Sequence, residues 1–483
     1  MIGIGIDFGT SNSTAACFDG KEVRFVELED LAEVMPTALH LNQALVTKTG
    51  LAAISQYIEE NQDRIVEFTP EIIAQSGLLT EEKNPNDSAS KAEIRTENVY
   101  GAAVIDRGLP GRLFRGIKRL LGNPDIKRLM VFDQPFRLVA LITPIFLHIR
   151  ERMKKVAIVD QRKVVVGRPI LFEGSRAGAN QLALARLAEA ADYAGFGVVQ
   201  FYPEPLAATV SYLAMEGGRK QITEQNQTLT EKQGRAVTFD FGGGTLDMSI
   251  VRYWGRHFEV LATAGIALGG DHIDQLIFKE LLFPLLGKGE RWSRRVDGNV
   301  IETEFPFEEF EAPLLNWAVT YTLNQNQYRA KISDCINKGG PAREKFVRLD
   351  ELITHNYSYI VFQAIKKAKA MLSDSEQTYL DIAELDVSLL FTRERFESLL
   401  SGQLTRIEQL IEDIMQKAQL GYSDIDVVIR TGGSSQIASV KRLLENRFPG
   451  RVIEHDPFRS VAAGLAVASY YSYDYADKEA SHN

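Results

Sequence analysis

The sequence predicts an α/β chain built from a duplicated lobe. Strands and helices alternate from end to end, as expected of helices packed on sheets. A strand, an Asp-Phe-Gly turn and two further strands occur at the N-terminus and recur from Val237, the mark of an internal repeat. At 483 residues the chain is also too long for one hydrophobic core, so two or three domains, or two large lobes, are expected.

Ile2, Ile4 and Ile6 alternate with smaller residues and predict a strand that runs into Asp7-Phe8-Gly9-Thr10-Ser11-Asn12-Ser13. Residues 15–18 and 23–26 give two more strands, joined at the hairpin signal Asp19-Gly20. In the second copy, residues 237–239, 246–251 and 257–263 are strands around Asp240-Phe241-Gly242-Gly243-Gly244-Thr245. Between the copies, 138–149 reads as a core helix whose start is marked by Thr143-Pro144. Residues 164–166 are a β-branched strand, 175–193 a helix and 198–201 a strand; 217–234 reads as an exposed polar loop. Further on, Gly269-Gly270-Asp271 opens a helix, and 291–343 shows no single period. Residues 357–372 and 396–419 are helices, 427–429 is a strand broken by Gly432-Gly433, a helix follows from Ser439, and Ala-rich 461–471 is a packed core helix.

Composition narrows the function. A net charge of −9 argues against a nucleic-acid footprint, and 45% hydrophobic content against disorder. The basic cluster Arg112, Arg115, Lys118, Arg119 is short and suits a phosphate group better than a duplex. Cys17 and Cys335 are far apart and fit a reducing compartment rather than a disulfide framework. The histidines have no zinc spacing; His272, beside Asp271, reads as part of a helix cap. The N-terminus is a poor signal peptide, and no apolar run nears the roughly 18 residues that span a bilayer. The expected location is the cytoplasm, with neither membrane nor nucleic acid as partner.

Glycines after a strand let backbone N–H groups approach an anion, and such nests bind phosphate. Gly9-Thr10-Ser11, Gly242-Gly243-Gly244-Thr245 and Thr431-Gly432-Gly433-Ser434 are three of them. The acid before each of the first two turns would repel bare phosphate, so Asp7 and Asp240 imply Mg²⁺ held through water. Either aspartate alone has a competing reading as a turn former. No Walker A loop exists, the dinucleotide fingerprint breaks at Phe8, and there is no His-Arg-Asp loop of a protein kinase.

These turns resemble the two phosphate loops of the DnaK-type heat-shock chaperones, members of the actin and sugar-kinase superfamily. Pro203-Glu204-Pro205-Leu206-Ala207-Ala208 is similar to their connecting segment, Lys367-Ala368-Lys369-Ala370-Met371-Leu372-Ser373 to their adenosine-side helix, and Thr431-Gly432-Gly433-Ser434-Ser435 to their adenosine loop. The motifs occur in family order along the whole chain, and the nearest likeness is to the YegD-type truncated relatives. The resemblance implies a duplicated actin-like (RNase H-like) ATPase fold, with ATP or ADP and Mg²⁺ in the cleft between two lobes. It implies catalytic roles for Asp7, Lys118, Glu204, Asp240 and Thr245. Gly9, Thr10, Ser11, Asn12, Gly242, Gly243 and Gly244 would contact phosphate. Gly269, Gly270, Lys366, Lys369, Ser373, Gly432, Gly433, Ser434 and Gln436 would surround the nucleoside. Against these stand a surface turn for Glu204 between prolines and solvated helix faces for Lys118 and Lys369.

The implied lobes are residues 1–209, with an insertion at 47–109, and 210–455, with an insertion at 285–350; residues 456–483 return to the first lobe. Lys366 stands where the family has an acid, Gln436 where it has an arginine, and Phe458 beside Pro457 where it has Asp-Glu, so base recognition is expected to be altered. The family's linker and peptide-binding domain are not seen after Tyr475, and the insertions are candidate surfaces for an unfolded polypeptide or another protein. The leading expectation is a slowly hydrolysing, chaperone-like ATPase. A small-molecule kinase, a nucleotide-switched scaffold or filament protein, and a non-hydrolysing sensor are the alternatives.

Overall fold

Both predicted meanders form. The computed structural model describes residues 2–81, 92–106, 108–156, 163–169, 172, 178–214, 233–255, 257–296, 299–472 and 475–477. Gly3–Phe8, Asn12–Phe18 and Val23–Phe25 make the first antiparallel meander. Gln233–Phe241, Leu246–Trp254 and His257–Ile266 make the second. On its other side, the leading strand of each meander is extended by two parallel strands. These are Lys163–Arg168 and Val198–Pro203 in the first sheet, and Val427–Thr431 and Val452–Glu454 in the second. The two sheets therefore share one strand order, and Asp7 and Asp240 fall at matching places near the ends of their leading strands. Their cross-strand partners differ: Thr14 opposes Asp7, and Asp247 opposes Asp240.

Two helices lie between the sheets, Glu204–Ala214 and Ser460–Tyr471. They share one buried cluster with Ala16, Phe18 and Val165 of the first sheet and Ala236, Val251 and Ile429 of the second. Small residues make this approach feasible. A Cβ at Gly464 would lie 1.8 Å from the Ala207 carbonyl oxygen, and one at Gly5 would lie 2.5 Å from that of Ala462. The outer face of the first sheet is covered by the helices Leu138–Met153 and Ala179–Tyr193.

Several sequence expectations change. Thr143-Pro144 does not start a helix: the Leu138–Met153 helix already runs through it. Leu138, Val139, Leu141 and Ile142 are buried, and that burial outweighs the one backbone bond proline forfeits. The polar loop at 217–234 lies outside the described residues, apart from Gln233 and Gly234, which open a strand. The unreadable 291–343 stretch is a hairpin, Arg291–Val296 with Asn299–Glu304, followed by the helices Glu308–Leu314 and Asn326–Lys338. His272 is not the cap residue itself. It sits three residues after Gly269 and its Nδ1 accepts the Gly269 N–H at 3.1 Å.

The two insertions meet each other. The helix Gly50–Asn61 buries Ala53, Ile54 and Tyr57 in the same core cluster as Trp317, Tyr321 and Leu323. Tyr57 Oη donates to the Ala318 carbonyl at 2.7 Å, and the Val66 N–H to the Asn324 carbonyl at 2.8 Å. Asn324 Nδ2 returns a bond to the Arg64 carbonyl at 2.9 Å. These contacts link the two halves of the chain.

Candidate functional site

The leading strands end beside one another at a cavity between the sheets. Ligands of open α/β sheets bind beyond the carboxyl ends of strands, and the lining agrees. Asp7, Lys118, Glu204, Asp240 and Thr245, the five expected catalytic residues, all face this cavity. So do the backbone turns carrying Gly9, Thr10, Ser11 and Asn12, and Gly242, Gly243 and Gly244 opposite them. Gly432 and Gly433 close it from the end of the Val427–Thr431 strand.

Lys118 arrives on a short turn, Ile117–Leu120, after the left-handed Gly116 (φ +65°). Glu204 is placed at the start of its helix by the Val198–Pro203 strand, where the helix dipole favours a negative charge. Lys118 Nζ donates to Glu204 Oε1 at 2.7 Å, and the lysine is only 6% exposed. Burial, then Glu204, push the Asp7 carboxyl up to about 8. Burial, then Asp247 and Glu204, push Asp240 up to about 7. Burial disfavours the Lys118 charge, yet Glu204 and Asp7 together outweigh it and raise the lysine above its ordinary value. Lys118 therefore stays an ammonium.

Four carboxyl groups, Asp7, Glu204, Asp240 and Asp247, thus face one buried ammonium, and the upward shifts of Asp7 and Asp240 mark how costly it is to ionise them there without a further cation. Among the described residues no group of three or more His, Cys, Asp or Glu has metal-ligand geometry. Two carboxyl groups at one site suit Mg²⁺, which takes one or two carboxylates and keeps several waters. A sign of an anion site lies in the glycine turn. The Gly270 N–H donates to the Gly242 carbonyl at 2.9 Å and the Asp271 N–H to the Gly243 carbonyl at 2.8 Å. This holds the turn's carbonyls, while no described residue accepts from the N–H of Gly243 or Gly244. Gly432 needs its φ of +78°, and a Cβ there would lie 2.4 Å from the Phe241 carbonyl.

The nucleoside-side candidates line a second cavity of about 720 Å³. Gly270, Lys366, Lys369, Ser373, Ser434 and Gln436 face it, and it shares Ser11, Asn12, Gly242 and Gly243 with the first, so the two form one groove. Gly269 lines neither; it packs beneath the turn, where a Cβ would lie 2.3 Å from the Gly243 oxygen. Lys369 is anchored rather than solvated: its Nζ donates to Asp274 Oδ1 at 2.5 Å and to the Gly270 carbonyl at 3.2 Å. Asp274 is 1% exposed, and burial raises its pKa against the pull of Lys369. Lys369→Met should accordingly cost about 3 kcal/mol, since it strands a buried carboxylate. Denaturant unfolding checks this, and the cost should shrink at low pH, where Asp274 is protonated in both states.

Sequence reasoning missed Asp247 and a direct role for Phe458; it read Arg115 and Arg119 only as part of a basic cluster suited to phosphate, and Trp317 only as part of the 285–350 segment. Asp247 accepts the Thr245 hydroxyl at 2.7 Å and lines the phosphate-side cavity; it closes the very motif that carried Thr245 and was within reach. Arg119 lies against Gly244, where a Cβ would be 1.8 Å from its Nη2. Phe458, 49% exposed, packs on Gly433. Arg115 and Trp317 come from distant segments, and no local signal shows that they meet.

Two sheets with the same order over five strands, joined through a helix pair, with matching aspartates at a shared groove, define the duplicated actin-like ATPase fold. Within that class, the family model described as Hsp70 protein matches residues 140–287 and 355–470, more than half of the chain. The chain belongs to the Hsp70 family. It is 23% identical over 474 residues to a chaperone protein HscA homolog of Acinetobacter baylyi, covering 96% of this chain and 57% of that protein. It is 26% identical over 354 residues to the chaperone protein DnaK of Metamycoplasma hominis, covering 72% and 47%. It is 24% identical over 476 residues to the chaperone protein dnaK of Thalassiosira pseudonana, covering 96% and 61%. The chain thus spans about half the length of the curated relatives it matches. No described helix is long and apolar enough to cross a membrane.

Proposed function

We propose that the groove binds Mg-ATP and hydrolyses it slowly to ADP and phosphate. The observation that carries this reading is the pair Asp7 and Asp240, half-buried at matching strand ends of duplicated sheets in one cavity with the Lys118–Glu204 ion pair. In this reading residues 1–209 form one lobe and 210–455 the other. The 456–483 segment returns to the first lobe through the helix that packs on Gly3 and Gly5. Action on polypeptides, in the manner of a chaperone, is the accompanying proposal and is supported by family membership.

Phosphoryl transfer to water needs positioning and charge neutralisation more than covalent chemistry. The N–H groups of the two glycine turns, with the Thr10 and Ser11 hydroxyls, would hold the phosphates. Lys118 would meet the terminal phosphate with its ammonium. Glu204 would orient a water through the oxygen not engaged by Lys118, and accept its proton. Asp7 and Asp240 would hold the hydration shell of Mg²⁺, which when bound neutralises charge across the phosphates.

One observation favours a second reading, transfer to a small-molecule acceptor. A further cavity of about 510 Å³ adjoins the first and shares Glu204, Asp240 and Thr245 while adding Met248 and Ile266. Phosphate release from Mg-ATP, measured with and without a panel of sugars and other polyols, separates the two. The ATPase reading expects release at one rate whatever is added. ATP consumed only when a polyol is present, with the phosphate found on it, would replace that reading with the kinase.

A further inference from the structure

Arg115 ends the strand Gly111–Arg115, three residues before Lys118. Its guanidinium carbon lies over the Trp317 ring, 4.7 Å from the centroid. Trp317 is in turn fixed edge-on against Tyr359, with ring centroids 4.9 Å apart. Its backbone pairs with Ala38 in the sheet, but beyond this stack the Arg115 guanidinium has no hydrogen bond or ion pair to a described residue. A guanidinium carries five N–H donors, and drawing them out of water without acceptors is costly. Burial is the largest influence on this one, depressing its pKa, with Asp271 the nearest compensating charge.

Arg115, Trp317 and Tyr359 line the nucleoside-side cavity with Gln436, whereas Arg115 does not line the cavity of Lys118 and Glu204. The other cations of the nucleoside side are committed or balanced. Lys369 is tied to buried Asp274 at 2.5 Å, and Lys366 stands 3.6 Å from Asp271. Gln436 is neutral, and its buried Nε2 has no partner. Arg115 is the cation left with uncommitted donors in this cavity, already oriented by the indole beneath it. A planar guanidinium held this way stacks on a second π-system and donates in its own plane.

We propose that Arg115, backed by Trp317, is the residue that grips the nucleoside half of the bound nucleotide. It reaches the groove from the first half of the chain, and Trp317 reaches it from the 285–350 insertion, so the bound nucleoside reinforces the link between the two halves of the chain. The proposal rests on the nucleotide reading above. It gives the 285–350 segment a role in ligand binding within its own chain.

The test is calorimetric titration of the full chain with Mg-ADP and with adenosine, for the wild type, Arg115→Gln and Arg115→Lys. Arg115→Gln should weaken both ligands by a similar factor, roughly tenfold, the size of a partly desolvated cation–π contact. Arg115→Lys should recover only part of the loss, because an ammonium lacks the planar face. In the otherwise unaltered protein, ADP should change the tryptophan emission, and Trp317→Phe should abolish that change. This guards against misfolding of the arginine variants. Wild-type affinity in Arg115→Gln, a loss confined to Mg-ADP, or a tryptophan response that survives Trp317→Phe would each overturn the proposal. A wild type that binds neither ligand would instead end the nucleotide reading itself.

Discussion

Glu204→Gln is expected to slow phosphate release from Mg-ATP by roughly 10²-fold, the usual worth of a positioned general base. The amide cannot accept the water's proton, yet its oxygen can still accept from Lys118, whose Nζ is 2.7 Å from the carboxylate in the wild type. Nucleotide affinity should therefore change little. Stability should fall modestly, because Lys118 is 6% exposed and exchanges a charged partner for a neutral one. Single-turnover hydrolysis against equilibrium binding separates these effects. Equal hydrolysis in variant and wild type would remove Glu204 from the chemistry and leave it a buried structural partner of Lys118.

Asp7→Asn should have opposite effects on activity and on stability. Hydrolysis should drop by at least about tenfold and Mg²⁺ should cease to tighten nucleotide binding, because the water-shell carboxylate is gone. The nucleotide-free protein should become more stable, by on the order of 3 kcal/mol at pH 8. The sign follows from the shift. Asp7 titrates near 8 when folded and near 3.8 when unfolded, so the folded chain holds the extra proton between those values. Its contribution to stability is then full below about pH 4 and is lost as pH rises toward 8. The wild type without ligand should melt at lower temperature at pH 8 than at pH 6, and Asp7→Asn should flatten that slope. Mg²⁺ with nucleotide should restore the wild type at pH 8 by relieving the same repulsion. An aspartate that stabilised the ligand-free chain at pH 8 would reverse every one of these signs. Stability given up at a site that must hold a cation is a common trade between folding and function.

Most of this chemistry could be read from the chain because it resides in short contiguous stretches. Asp7 and Asp240 sit where an alternating strand meets glycines, and both the strand period and the turn are local signals. The shared order of the two sheets follows from the same repeat. What was out of reach depends on segments far apart in sequence. Trp317 reads as one aromatic in a stretch without a period, and nothing beside it says that Arg115, about two hundred residues earlier, will lie on its ring. Lys369 was read toward the nucleoside, but its partner Asp274 lies on another helix, and only the fold reveals a buried pair. Thr143-Pro144 misled for a different reason: a proline signal is local, whereas the helix through it is held by tertiary burial of Leu138 to Ile142. That the 47–109 and 285–350 segments touch each other was equally out of reach, because sequence alone cannot show that Tyr57 and Ala318 share a hydrogen bond.

The central claim is that the groove between Asp7 and Asp240 is a nucleotide site, and calorimetric titration of the chain with Mg-ATP, Mg-ADP and Mg-GTP tests it most directly. The account predicts saturable binding of the adenine nucleotides at one site per chain, weakened by omission of Mg²⁺ and by Asp7→Asn. Absence of binding heat with all three, in a protein shown to be folded by its melting transition, would contradict it.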